Sequence, residues 1–194
     1  MALGTAFRAE TKGERAGGRD FRGYLAVPSG GAERGMSLSK VVLKEQLVRA
    51  LEADLELRER AHRSAAAAAT HDEAKPENDK DTRALEQSYL ARGEARRVEE
   101  LRAGIADIEA MVLRDLSPGE RAVLGALVTT REGDADSFVW IAPYGGGSRQ
   151  ASGSVCVVTP ASPLGRAIVG KREGDVIEID VAGRRREMTI LSVS

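Results

Sequence analysis

From Lys40 to Ala69 the chain holds no Gly or Pro, and Leu43, Leu47, Ala50, Leu57, Ala61, Ala65 and Ala68 recur at helical spacing with charges between them, Asp54 interrupting the series. This period predicts a long amphipathic helix. Met36 is followed by SLSKVVLKEQ, where Ser37 or Ser39 can cap the first turn. The run Ala65 to Ala69 favours helix strongly, and its small side chains admit a partner helix at close range. A second helical stretch follows with Leu85 and Tyr89, then Val98, Leu101, Ile105, Ile108 and Val112 at steps of three and four, the spacing of a coiled-coil seam. It should end near Leu116, where SPGE supplies turn residues. Helices of about thirty residues span about 45 Å, and each is marginal in water unless its seam is covered. The first helix is the natural antiparallel partner of the second.

Beyond residue 116 the period changes to short β-type runs: Ala122 to Thr130, Ser137 to Ala142, Ser154 to Thr159, Val176 to Val181 and Met188 to Val193. Between the third and fourth lies one short helical turn, Leu164 to Val169, closed by Gly170. Strands with a single short helix imply a small α+β domain with a mostly antiparallel sheet, and Phe138, Trp140 and Ile141 are its expected core. Residues 1–35 are rich in Gly, Arg and Glu without a sustained period, which reads as a disordered extension. The expected organisation is therefore an extension (1–35), a coiled-coil hairpin (36–116) and a globular domain (117–194).

Composition changes this picture little. The chain has 194 residues, 42% hydrophobic and 30% charged, with a formal net charge of −1, so nothing favours nonspecific binding to a phosphate backbone. Its single cysteine, Cys156, forms no internal disulfide and, with only His62 and His71 in the chain, no zinc site. A reducing cytoplasm is the expectation. No window reaches the roughly 18 apolar residues of a membrane span, so no membrane partner is expected.

Candidate chemistry concentrates between the helices. Thr70 to Asp81, THDEAKPENDKD, places Asp72, Glu73, Glu77, Asp79 and Asp81 at the far end of the predicted hairpin. Carboxylates on a rigid arm can be delivered to another protein's active site, where hard oxygen ligands suit Mg²⁺. The competing reading is a solvated acidic loop. Cys156 sits in an apolar run and reads as a buried structural thiol. Gly145 to Gly147 lacks the following Lys-Ser/Thr of a phosphate loop and reads as a turn.

The segment SPLGRAIVGKREGD (Ser162 to Asp175), followed by VIEIDVAGRRREMTILSV, closely resembles the C-terminal signature of the GreA/GreB family of bacterial transcript-cleavage factors. The resemblance extends over about residues 36–194. It implies a long N-terminal antiparallel α-helical coiled-coil hairpin followed by a small FKBP-like antiparallel β domain with one short helix. It also implies RNA polymerase as the partner, reached through the globular domain. The acidic tip would meet the RNA 3′ end indirectly in the polymerase channel. On this reading Glu77, with Asp72 and Glu73 as alternates, acts at the polymerase site; Glu77 and Asp72 share a Mg²⁺ only in the complex. The factor has no cofactor of its own and is not an enzyme. Ser162, Pro163, Arg166 and Lys171 are the partner-binding candidates, and a monomer is expected.

The tip departs from the family's Asp-x-Lys-Glu-Asn pattern. Here DEAKPEN puts two additional residues between Asp72 and Glu77, Pro76 stiffens the loop, and Asp81 stands where an aromatic is common. A channel-binding inhibitor or modulator without cleavage stimulation, a peptidyl-prolyl isomerase and a coiled-coil adaptor therefore stand beside the cleavage-factor reading.

Overall fold

The computed structural model describes residues 39–70 and 83–194. Helix α1 spans Lys40–Thr70 and α2 spans Arg83–Ala110. The two pack antiparallel: Lys44 reaches the end of α2 at Glu109, whereas Arg58 meets Glu94 far above. Ser39 occupies the capping position, its carbonyl accepting from Leu43 N at 3.0 Å. Met36 and Ser37 lie outside the described residues, as do the tip carboxylates Asp72, Glu73 and Glu77.

Helix α2 stops at Ala110, six residues before the expected Leu116. The Lys44 ammonium donates to the carbonyls of Glu109 and Met111 at 2.8 and 2.9 Å, and Lys40 donates to that of Arg114 at 2.6 Å. Carbonyls left without helical partners at a helix end are thus met by cations of the neighbouring helix. Because the backbone turns there, Met111 is buried and Val112, expected in the seam, is 81% exposed.

The seam also leaves its expected line on α1. Leu43 and Leu47 are buried, but the next inward positions are Leu51, Asp54, Leu55, Arg58 and His62, while Ala50, Leu57 and Ala61 face outward. Four-residue steps from Leu43 and Leu47 lead to position 51, and helix geometry holds the polar residues above it in the inner row. On α2 the inner row is Ala91, Glu94, Ala95, Val98, Leu101, Gly104, Ile105 and Ile108. The lower hairpin is therefore apolar inside and its middle polar. There Arg58 bonds Asp54 at 2.9 Å and lies 4.0 Å from Glu94, and Arg102 crosses to Glu59 at 2.6 Å.

Six strands form one sheet in the order β3-β4-β2-β1-β6-β5: β1 Leu127–Glu132, β2 Ala135–Ile141, β3 Arg149–Gln150, β4 Val155–Val158, β5 Val176–Val181 and β6 Arg184–Val193. The predicted run from Ala122 becomes strand only at Leu127. Gly125, at φ +87°, breaks the extended path. The sheet is antiparallel except for β2 and β4, which pair in parallel with Phe138 opposite Val155. The sheet is thus mostly antiparallel, as expected, with this one parallel pair. Residues 142–154 provide the crossover that a parallel pair requires.

Both faces of the sheet are covered, which explains the unbroken apolar run of β4. Val139, Ile141, Cys156, Val158, Ile177, Ile179, Met188 and Ile190 pack on one face beneath the short helix α3, Pro163–Ile168. On the other face Trp140, Val155 and Val157 pack with Leu43, Leu47, Ile108 and Met111 of the hairpin base. Trp140 and Ile141 are fully buried, and Phe138 is half-buried against the hairpin-side cluster. Cys156 is buried and free, and burial pushes its thiol pKa up. No helix among the described residues is long and apolar enough to cross a membrane.

Two surface carboxylates make stability depend on pH. Asp136 bonds Arg131 at 2.6 and 2.9 Å, which holds its pKa below the ordinary carboxylate value, and Glu120 is held down by the Ser117 N–H and then by Arg114. A lowered folded pKa means that the stabilisation is present above the unfolded value, about 4, and is lost as pH falls through the folded values. The urea midpoint should therefore drop on acidification below about pH 4. In Asp136→Asn this drop should be shallower, and an identical profile in wild type and variant would count against the assignment.

Candidate functional site

The loop from Thr159 to Asp175 is built on its backbone. Ser162 caps α3, its Oγ accepting from Gly165 N at 3.0 Å and donating to the Thr159 carbonyl at 2.7 Å. Pro163 occupies the first turn, where its missing N–H costs nothing. Gly165 is required by close approach: a Cβ there would overlap the Thr159 carbonyl, lying 2.8 Å from its carbon. Arg166 is exposed and donates to the Ala161 carbonyl at 2.7 Å. Lys171 is also exposed; its carbonyl accepts from Ala122 N at 2.7 Å, and Arg121 reaches the neighbouring Gly170 carbonyl at 2.6 Å. Asp175 closes the last turn through Arg172 N at 2.9 Å.

These bonds sort the four partner-binding candidates. Ser162 and Pro163 shape the start of α3, whereas Arg166 and Lys171 present cationic heads to solvent. Arg121 and Arg172 lie on the same border, and the half-exposed Leu124, Val169 and Val176 belong to the segments that meet there. Exposed cations beside half-exposed apolar side chains suit a protein partner with an acidic, partly apolar face.

The second locus is the junction of hairpin and sheet, which the sequence reading passed over. Tyr144 lays its ring on Gly104 of α2; a Cβ at Gly104 would fall 2.6 Å from both Cδ atoms and closer still to Cγ. Next to it Gly145 sits on Leu47 of α1, where a Cβ would lie 2.9 Å from Cδ1. Ala151 N donates to Gln46 Oε1 at 3.1 Å. The triple glycine is a turn, as its sequence implies, and also a docking surface. The available signal was Gly104 itself, a poor helix former inside a strong helical pattern.

His62 keeps a buried Nδ1 without a partner in the hairpin, and His71 lies outside the described residues. Among the described residues no three of His, Cys, Asp and Glu gather as metal ligands.

Residues 146–194, the segment that carries β3 to β6 and the α3 loop, match the family model for the transcription elongation factor GreA/GreB C-terminal domain. By this C-terminal part the chain is similar to the GreA/GreB transcription elongation factors. Transcription elongation factor GreA of Xanthomonas axonopodis pv. citri is 31% identical over 98 residues, 50% of this chain and 61% of that protein. GreA of Xylella fastidiosa strain 9a5c is 32% identical over 99 residues, covering 50% and 60%. The matched region thus spans about three fifths of the length of these curated relatives. The crystal structure of GreA factor homolog 1 (Gfh1) of Thermus thermophilus aligns at 23% identity over 76% of this chain and 94% of that one, with a TM-score of 0.33.

Proposed function

We propose that this protein is a bacterial, cytoplasmic transcription elongation factor that binds RNA polymerase and stimulates the polymerase to cleave backtracked RNA. The observation that carries this reading is the pairing of a GreA/GreB C-terminal domain with a stiff antiparallel hairpin whose connecting segment, 71–82, holds five carboxylates. Arg166 and Lys171 on the α3 loop contact the polymerase, and Glu77 and Asp72, with Glu73 as an alternate, supply oxygen ligands for a Mg²⁺ held jointly with it. A second metal ion at such a centre activates water and stabilises the leaving oxygen. The protein itself is an accessory factor, acting as a monomer, and its tip meets the RNA 3′ end only inside the complex.

The test is transcript shortening in a stalled, backtracked polymerase complex. Wild-type protein should accelerate cleavage, and Glu77→Ala should reduce the acceleration by about 10–100-fold, the scale on which metal affinity and activity respond to loss of supporting groups. Full activity in the variant would remove Glu77 from the chemistry.

The spacing of DEAKPEN favours a second reading, a channel-binding modulator. Wild-type protein that binds polymerase and slows elongation without shortening the transcript would establish it in place of the first.

A further inference from the structure

We infer that Tyr144 is the positioning residue of the hairpin: its ring, wedged on Gly104, fixes the angle at which the arm leaves the sheet. For what the tip does in a partner, the inference rests on the function proposed above; for the geometry of the free protein it does not.

The need for such a wedge follows from leverage. The hairpin shares a core with the sheet near its base, at Leu43, Leu47, Ile108 and Met111, with Val48 and Leu51 packed against it. From Leu47 to Thr70 the arm rises about 35 Å, so a tilt of about 10° at the base shifts the far end by about 6 Å. Groups delivered to a reaction centre tolerate far less, since misplacement by about 1 Å can cost about 100-fold in rate. Contacts above the base must therefore hold the angle.

Tyr144 is placed to do so. The chain around it is anchored on the buried strand β4: Ala142 N donates to the Val158 carbonyl at 2.9 Å and Gly147 N to that of Val157 at 2.8 Å. The turn is closed by Ser148, whose N and Oγ both donate to the Gly145 carbonyl, at 3.1 and 2.7 Å. A loop held this firmly presents Gly145 to Leu47 on one helix and Tyr144 to Gly104 on the other, touching both arms of the hairpin. Gly104 is buried, and the three atoms nearest a Cβ placed there all belong to the Tyr144 ring. Tyr144 also approaches the polar middle of the hairpin. Arg58, held above its ordinary pKa mainly by its bond to Asp54 and by that charge, feels the phenol as a further, smaller contribution. On its helix the wedge sits one turn below the buried Leu101, with Val98 above that, and the charged pairs of Arg58 with Asp54 and Glu94 lie farther toward the tip.

Spin labels at Ser64→Cys and Glu187→Cys, both exposed positions, report the angle between hairpin and sheet in the free full-length protein. Cys156 is buried and its thiol pKa is raised, so it stays unlabelled. A second pair, Ser64→Cys with Arg92→Cys, reports the hairpin alone. Tyr144→Ala should broaden or shift the hairpin-to-sheet distance by about 5 Å, the scale of the leverage above, while leaving the hairpin pair unchanged. Tyr144→Phe should retain the wild-type distribution, and Gly104→Ala, which displaces the ring, should resemble Tyr144→Ala. An unchanged hairpin-to-sheet distance in Tyr144→Ala overturns the inference, and so does broadening of the hairpin pair, which would make Tyr144 a packing residue of the coiled coil. In the cleavage assay Tyr144→Ala should lower the maximal stimulation without moving the concentration for half effect. Wild-type protein that fails to stimulate removes only that last readout, because the distances are measured without polymerase.

Discussion

Replacing Trp140 by alanine should cost about 3–5 kcal/mol of folding free energy, the range for truncating a large buried aromatic. Trp140 is fully buried in the cluster that joins Leu43, Leu47, Ile108 and Met111 of the hairpin to Leu127, Val155 and Val157 of the sheet. Its Nε1 donates to the Gly125 carbonyl at 3.2 Å, so truncation also leaves a buried acceptor without its partner. The cavity would open between hairpin and sheet, and neither layer can close it without tilting the hairpin. Urea denaturation followed by circular dichroism measures the loss, since the variant has no tryptophan to report by fluorescence. A loss below about 1.5 kcal/mol, the scale of a conservative core swap, would mean that the hairpin base is held mainly by other contacts.

The second large effect is expected at Gly165→Ala. The added methyl would meet the Thr159 carbonyl, which already accepts from Ser162 N at 2.9 Å and from Ser162 Oγ at 2.7 Å. Relief requires the start of α3 to move and its cap to open. Overpacking of this kind costs about 1–3 kcal/mol, and the cap adds about 1 kcal/mol. The exposed neighbour provides the contrast: Arg166→Ala should change stability by less than about 0.5 kcal/mol. If the α3 loop docks the partner, both variants bind polymerase more weakly, but only Gly165→Ala lowers the urea midpoint. Equal midpoints for Gly165→Ala and wild type would show that the loop yields without cost.

Most elements were legible in the chain because their signals are local. Strand β5 coincides with the predicted Val176 to Val181, and α3 lies within one residue of its expected span. Val98, Leu101, Ile105 and Ile108 are buried as their spacing requires. The structure adds the Ser162 cap, a residue the sequence offered only as a partner-binding candidate. The candidate site divides in the same way. The α3 loop could be read from its motif, whereas the wedge at Tyr144 could not, because Tyr144 and Gly104 are forty positions apart and neither belongs to a pattern.

By itself, then, the sequence determined two long helices joined by an acidic segment, a β-rich C-terminal half and the motif by which it resembles the GreA/GreB C-terminal domain. Each rests on near-neighbour chemistry: helical period, strand alternation, turn residues and caps. The tertiary structure decided which face of α1 turns inward past Leu47, where α2 ends, the parallel pairing of β2 with β4, and the seating of Tyr144 on Gly104. These depend on surfaces that meet only after folding. A polar residue enters a seam because the helix carries it there and a cross-helix charge answers it, and a glycine becomes a socket only once an aromatic ring from another layer fills it.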